Sequence, residues 1–550
     1  MTRRSALVAM AAAPAFAQTL EQDILKTVVA NHDKGVEYLM AKQITDPASR
    51  FQGTILNGFG IPNFNGMSGM FDTYGAALMQ PLSKYYRSPL IFERLKLTAA
   101  SLKRNQSAGG FMSNLDTNFN SPPDTAFAVR AAAVGLLLAK QTNSREIFEV
   151  MRPFVESAAD GLAVGGIHTP NHRWVLSGAL AQVNEILPKA AYVKRIDQWL
   201  AEGIDIDEDG QYTERSVGTY NQIIDSALIA IAEKHNRPEL FEHVRANLDS
   251  LLYLINPNGE IVTDFSRRQD QFTIATPAQY YFSLHYMALK DKNKAWGTLA
   301  SKYRAAGLGL STAMLHPEFL KPIETAAIPT SYRKDFKHNK ITRIRRENHA
   351  ATVFYNGSSR VMNINKGEAV ITTIRFISAF FGKGQFKSES FELKGKTIAM
   401  SQKLEGPYYQ PFTPAKVIDS EMWTATQKLR PRTEVNVFEQ GATIEEAEGG
   451  YNLRIHSSGT ELVPITIEIA FRPGGKLTGV KPIPTAADSY LIDGPEARYQ
   501  VGKDIIKVSP GASAHQWTRD MRYIEDKLPG PTLYLTGFAP FDHTIQFRFA

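Results

Sequence analysis

His168, Thr169, Pro170, Asn171, His172, Arg173 and Trp174 stand in a row, after Gly165-Gly166 and before the apolar run VLSGALAQV. Thr169 has the side chain of an N-cap and Pro170 suits the first helical position, so the spacing predicts Asn171 and His172 in the first turn of a helix. An amide and an imidazole at the positive end of a helix dipole are equipped to grip an anion, a carboxylate above all. Asn and His near a helix start also serve as plain capping groups, and a second polar cluster weighs against that role here. Residues 205–222, DIDEDGQYTERSVGTYNQ, place Tyr212, Glu214, Arg215 and Tyr220 in a Gly-interrupted loop before another helix. Loops on rigid scaffolds concentrate catalytic groups. An imidazole with a reference pKa near 6.5 is suited to take a proton, and a Tyr hydroxyl to give one or, ionised, to take one.

The rest of the chain bounds where such chemistry acts. Its 550 residues, 43% hydrophobic and 21% charged, are of ordinary globular composition and too many for one core, so two domains are expected. Arg3-Arg4, an apolar Ala/Val/Met stretch and Ala15-Phe16-Ala17 before Gln18 have the three parts of a bacterial secretory signal peptide at residues 1–17. Thr2-Arg3-Arg4-Ser5 also touches the twin-arginine pattern, with Ala6 where a bulky apolar residue belongs. The mature protein is expected in the periplasm or secreted, with no integral membrane segment after signal removal, because no later stretch approaches the roughly 20 apolar residues of a span. The absence of Cys excludes disulfides, thiolate metal sites and a Cys nucleophile. A net charge of +7 favours an acidic partner. No zinc-finger spacing, nucleic-acid module or long Lys/Arg tract is present, so the expected partner is an acidic polysaccharide or oligosaccharide and not nucleic acid.

From Leu20 to Leu320 amphipathic runs succeed one another, among them 124–141, 145–160, 174–187, 190–202, 222–235, 238–253 and 278–289, each with apolar residues at helical spacing. Helix after helix with no strand between them predicts an α/α barrel or solenoid, and no repeated motif stands out. From Ile328 onward short runs rich in Val, Ile, Thr, Phe and Tyr take over, ATVFYNGSSRVMNI with its Asn-Gly turn among them, which predicts an antiparallel β domain. The divisions are therefore 1–17, 18–327 and 328–550. The basic run RKDFKHNKITRIRR near the join reads as a solvated linker or face, able to steer an acidic chain if it borders a cleft.

A helical domain followed by a β domain, with Asn171-His172 and the later Tyr212 and Tyr220, resembles the polysaccharide lyases built on an α/α toroid, such as the heparinase II/III-like and alginate lyase families. GGIHTPNHRW and DGQYTERSVGTYN are most similar to lyases acting on glucuronate capped by rhamnose. The resemblance implies an α+β multidomain chain, an incomplete α/α toroid followed by an antiparallel β-sandwich, and cleavage of a uronic-acid glycan by β-elimination. In that reaction the proton on the carbon beside the carboxylate is removed and the neighbouring glycosidic oxygen expelled. The resemblance assigns Asn171 to carboxylate neutralisation with help from Arg173 or Arg215, His172 to the base or its helper, and Tyr220, or nearly as well Tyr212, to proton donation. It also brings His349, at the first β strand, into the cleft from the second domain.

Other candidates fill out the cleft. His168 makes an H-x-x-x-H spacing with His172, but Pro170 argues against a metal pair on one helical face. Asn118, in SNLDTNFNSPPDT, is a donor for sugar hydroxyls, and Trp174 and Tyr280-Tyr281 are stacking surfaces or buried packing. Asp205, Asp207, Asp209 and Gly210 match the opening of a calcium loop, but Ser216 stands where the closing Glu belongs, so no cofactor is expected and calcium is the weak exception. Two alternatives remain open on the sequence. A glycoside hydrolase would use paired carboxylates from Asp207, Asp209, Glu214 and Asp264, and a non-catalytic protein would only hold an acidic glycan.

Overall fold

The computed structural model describes residues 3–518 and 524–550. Met1 and Thr2, the start of the expected export signal, lie outside the described residues. The chain divides into two compact units, Met1–Ile255 with Ile261–Ile328, and Asn256–Glu260 with Pro329–Ala550. No helix among the described residues is long and apolar enough to cross a membrane.

The first unit is helical: α1 Arg3–Lys42, α2 Phe64–Met79, α3 Pro89–Asn105, α4 Pro122–Gln141, α5 Arg145–Leu162, α6 His172–Ile186, α7 Ala190–Leu200, α8 Tyr220–Lys234, α9 Phe241–Leu252, α10 Tyr281–Asp291, α11 Lys294–Gly307 and α12 Leu310–Leu315. Helices α2, α4, α6, α8 and α10 pack each against the next as an inner ring, and α3, α5, α7, α9 and α11 pack behind them. This is an incomplete α/α toroid, and the sequence pattern explains the two layers. Helix α4 buries Ala126, Ala128, Val129, Ala132, Ala133, Leu136 and Ala139 around its circumference, as a helix covered on all sides must. Helix α5 buries Ile147, Met151, Phe154, Val155, Ala158 and Leu162 along one stripe and keeps its other face polar.

A repeated element with no counterpart in the sequence pattern appears in the turns. At 57–61, 107–111 and 207–211 the first residue donates its N–H to the carbonyl of the fifth and accepts the N–H of the fourth, a glycine, on its own carbonyl. The side-chain oxygens of Asn57, Ser107 and Asp207 accept the N–H of the fifth residue in their turns. A fourth copy at 256–260 keeps the backbone bonds. Gly60, Gly110, Gly210 and Gly259 all have positive φ, between 76° and 87°, and a Cβ on Gly210 would lie 2.3 Å from the Ala246 carbonyl oxygen. Only glycine fits such a position. The copies start 50, 100 and 49 residues apart, about one helix pair or two. The motif was hidden because Asn, Ser and Asp fill one role interchangeably.

The second unit is a β-sandwich of a nine-stranded and an eight-stranded sheet. In the first, Ala369–Ser378 lies between Met362–Lys366 and Pro464–Phe471, and one pair, Ser489–Ile492 with Thr532–Phe538, is parallel. In the second, Arg432–Ala447 and Gly450–Gly459 form a hairpin in unbroken register from Phe438↔Gly459 to Ala447↔Gly450. Ile364, Ile371 and Phe376 from one sheet meet Ile444, Leu453 and Phe547 from the other in one core. The basic run is no solvated linker. It folds as the antiparallel strands Ser331–Phe336 and Ile341–Arg346, with Arg343 fully buried and bonded to Thr352 Oγ1 at 2.7 Å and Asn256 Oδ1 at 2.9 Å. Arg343 and Arg345 share one face of the strand by its period of two, and Arg343 is satisfied by hydrogen bonds within the protein.

Candidate active site

Helix α6 begins at His172, two residues later than the Thr-Pro signal predicts. The Thr169 and Pro170 carbonyls accept the N–H groups of His172 and Arg173 in a tight 3₁₀-type entry. Thr169 caps side chains instead of backbone: its Oγ1 lies 3.0 Å from His172 Nδ1 and accepts from Asn171 Nδ2 at 3.2 Å. The His172 imidazole is 6% exposed, with the His168 ring edge-on at 4.7 Å and Phe127 at 6.3 Å. Burial, with smaller contributions from His168 and Arg268 against an opposing one from Asp124, lowers its pKa to about 4. The ring is neutral at pH 7, one nitrogen held by Thr169.

Asn171 is fully buried and its amide nitrogen also donates to both oxygens of Glu214, at 2.9 and 2.8 Å. Its two N–H groups are therefore spent on Glu214 and Thr169, and only the buried carbonyl Oδ1 has no partner. A substrate carboxylate cannot be neutralised by an acceptor, so Asn171 does not fit the role expected of it. The cation beside Glu214 is Arg268. Its guanidinium is 3.6 Å from Glu214 Oε1 with 27% of the side chain exposed, and it lies over the Tyr220 ring at 5.0 Å. Burial raises the Glu214 pKa, against the lowering effects of Asn171 and Arg268. Tyr220, first residue of α8, accepts from Gln269 Nε2 at 2.6 Å on its hydroxyl oxygen, which leaves its own proton to give.

Asp270 fastens the two loops that carry these groups. Its carboxylate accepts from Ser216 Oγ at 2.8 Å, Ser266 Oγ at 2.6 Å and the Gly218 N–H at 2.8 Å, while the Arg267 N–H donates to the Glu214 carbonyl. Arg268, Gln269 and Asp270 were missed in the sequence. Their only signal there was a second polar, arginine-bearing loop, FSRRQDQF, which begins 60 residues after the first.

Several expected site residues are committed elsewhere. Tyr212 is fully buried and donates to Asp225 Oδ1 at 2.8 Å, because pairing of Ile206 with Tyr212 across the Gly210 turn directs it inward; it is no proton donor to a glycan. Arg173 donates to Asp205 at 2.8 Å, Glu202 at 3.2 Å and the Pro170 carbonyl, and Trp174, fully buried beneath it, donates to the same Asp205 oxygen at 2.7 Å. Neither is left to meet a sugar. Asp207 Oδ1 accepts the N–H groups of Asp209 and Gln211, so the calcium-like run is an Asx turn, and among the described residues no group of three or more His, Asp or Glu could hold a metal. Arg215, half-buried with φ +52°, stands within the field of Arg267, Asp207 and Asp209. Exposed His168 and half-buried Asn118 line one surface groove of about 360 Å³ with Phe119, although the Asn118 amide donates to Asp124 Oδ2 at 2.9 Å. His349, in the second unit, packs its ring on Phe549 at 4.5 Å and Tyr451 at 5.9 Å.

A ring of helices with an imidazole and a phenol at the starts of two inner members and a guanidinium on a neighbouring loop invites comparison with solved proteins. The chondroitin AC lyase of Streptomyces coelicolor A3, in complex with chondroitin sulphate, superposes with a TM-score of 0.55 at 12% identity, covering 97% of this chain and 82% of that one. Its fold is similar to that of this chain. A second chondroitinase AC lyase, solved with oligosaccharides, superposes with a TM-score of 0.51 at 9% identity, over 97% and 82% of the two chains. The likeness spans the helical toroid and the sheet domain alike. No family model matches the sequence, and no curated protein matches it.

Proposed function

We propose that the protein is an exported polysaccharide lyase that cleaves a uronic-acid glycan by β-elimination. The observation that carries the reading is the continuous set His172–Thr169–Asn171–Glu214–Arg268–Tyr220, in which Thr169 Oγ1 ties a neutral imidazole to Asn171, and an orienting carboxyl, a partly exposed guanidinium and a proton-bearing phenol follow in contact. The fold shared with chondroitin AC lyases supports it.

Arg268 receives the uronate carboxylate and stabilises the charge that develops on it as the neighbouring carbon loses its proton. Glu214 holds Arg268 and is itself held by Asn171. The base is His172 through Nε2, which requires Nδ1–H to donate to Thr169 Oγ1 and so fixes the tautomer. Tyr220 gives its proton to the glycosidic oxygen. The C–H and C–O bonds break, a ring C=C bond forms, and the proton taken by His172 returns through solvent to Tyr220. Water is not consumed, and the product is an unsaturated uronate. Arg215, Arg267, His168 and Asn118 stand on the loops around this set and contact the chain on either side of the bond. The helix start contributes shape more than charge, since its first N–H groups are bonded.

The test is ultraviolet absorbance over time with a panel of uronate polysaccharides, chondroitin and rhamnose-capped glucuronate glycans included, beside a His172→Ala control. A signal that rises with one substrate and vanishes in the control is the expected result. Reducing sugar released without absorbance would overturn the reading in favour of hydrolysis.

A further inference from the structure

Behind the starts of the inner helices the toroid holds a half-open cavity of about 370 Å³. Its wall is built from inner helices α4, α6, α8 and α10 with α12. Ser226, on this wall, lies six residues into α8 from Tyr220, or about 9 Å along the helix at 1.5 Å per residue, so the cavity extends beyond the reach of the groups described above. Its far end is drawn together by Lys234 with Glu185 at 2.9 Å and by Glu233 with Lys290 at 3.4 Å.

Arg130 of α4 projects into this space. Nη2 donates to Ser226 Oγ at 2.8 Å and Nη1 to the Ile223 carbonyl at 3.5 Å. Nε is buried with no partner, and among the described residues the group's hydrogen-bond partners are a hydroxyl and a carbonyl, with no carboxylate acting on it. Burial alone lowers its pKa to about 10. A guanidinium placed in an apolar lumen without a counter-ion is costly, and such a group is retained where an anion offsets the desolvation. On the same wall Gln182 Oε1 is buried without a donor. One spare cation and one spare acceptor ask for a ligand with a carboxylate and a hydroxyl. Leu137, Phe282 and Leu315 supply apolar surface between them, suited to the C–H face of a sugar ring. An acyl chain would leave Gln182 unsatisfied, and a bare inorganic anion would leave most of the volume unfilled.

We infer that the toroid lumen is a second binding site, for a uronic acid of monosaccharide size, with Arg130 receiving the carboxylate and Gln182 a hydroxyl. The site is separate from the elimination chemistry, and its existence does not depend on that chemistry.

The experiment is calorimetric titration of the full chain with glucuronate, with glucose and octanoate as comparison probes, on wild type, Arg130→Met, Arg130→Lys and Gln182→Leu. Wild type is expected to bind glucuronate and not glucose. Arg130→Met should lose one glucuronate site or weaken it at least tenfold, Arg130→Lys should weaken it less, and Gln182→Leu should weaken it while sparing octanoate. Thermal unfolding checks that each variant is folded, and Arg130→Met, which removes an unpaired cation, should melt no lower than wild type. Equal glucuronate binding by wild type and Arg130→Met, no binding by wild type, or tighter binding of octanoate than of glucuronate would overturn the inference. Ultraviolet assays of the same variants keep the two readings apart, because loss of the lumen site leaves elimination intact and failure of elimination leaves the titration unchanged.

Discussion

If His172 is the base, activity must persist in acid well below the point at which an ordinary histidine is protonated. Its ring is 6% exposed and its pKa is lowered to about 4, first by burial. At pH 5.5 a base with that value is about 97% neutral, whereas one at the reference value of 6.5 is about 9% neutral, a roughly tenfold difference in competent enzyme. The acid limb of kcat/KM, which reports the free enzyme, is therefore expected near pH 4. The limb of kcat should lie higher, because a bound uronate brings negative charge beside the ring and favours the imidazolium. The same shift is a stability term. The folded pKa lies below the unfolded one, so the contribution is complete above about pH 6.5 and is lost as pH falls toward 4, and its full size is about 3 kcal/mol. Initial rates by ultraviolet absorbance between pH 3.5 and 7, with circular dichroism to mark unfolding, separate the two effects. An acid limb of kcat/KM centred at 6.5 while the protein remains folded would refute the assignment, as would an NMR titration of the His172 ring at that value.

The two tyrosines should part cleanly. Tyr220→Phe is expected to lower kcat by about 10²- to 10⁴-fold with substrate still bound, whereas Tyr212→Phe, which strips the buried Asp225 of its donor, should cost about 1–3 kcal/mol in denaturant unfolding and leave kcat unchanged. Arg268→Met should lower kcat/KM by about 10²- to 10³-fold, with partial recovery in Arg268→Lys; unaltered elimination in Arg268→Met would remove the guanidinium from the mechanism. Trp174→Phe should reduce stability by about 1–2 kcal/mol through the lost Asp205 bond and leave KM for the glycan unchanged, and a raised KM would return Trp174 to the sugar site.

The helical layers were legible because burial imposes a period of 3.6 on an outer helix such as α5, with Ile147, Met151, Phe154, Val155, Ala158 and Leu162 on one face. The β domain was legible from its Val, Ile and aromatic runs. The start of α6 was misplaced because Thr169 and Pro170 satisfy the usual rules for a cap, and what displaces the cap is a competition among neighbouring side chains: Thr169 Oγ1 is drawn to Asn171 and His172, two and three residues on, and not to the backbone. Asn171 drew attention as a donor for substrate, yet its donors meet Glu214, 43 residues away. No local pattern reports a partner at that separation. Trp174 and Arg173 look like sugar contacts by residue type alone, and only the position of Asp205 shows them to be structural. Arg268 was invisible for the same reason, since it reaches Glu214 only after Asp270 has joined two loops.

The repeated turn explains how one ring came to hold so uneven a set of groups. Each copy delivers the chain toward the start of an inner helix, and the copies differ in the segment between the glycine and that helix. After Gly60 the chain enters α2 almost at once, at Phe64. After Gly110 it makes the hairpin of Met112–Asn114 and Asn118–Ser121 before α4, and that detour carries Asn118 and Phe119. After Gly210 the detour runs to Tyr220 and carries Glu214 and Arg215; after Gly259 it runs to α10 at Tyr281 and carries Arg268, Gln269 and Asp270. The turn itself is committed to backbone hydrogen bonds and a glycine and has no side chain to spare for chemistry. The detours are free of that constraint, and buried contacts such as those of Asp270 and Asn171 then fix them to one another. The repeated geometry supplies positions and the excursions supply functional groups, so substitutions in the turns should act on folding while substitutions of Glu214, Tyr220 and Arg268 act on rate.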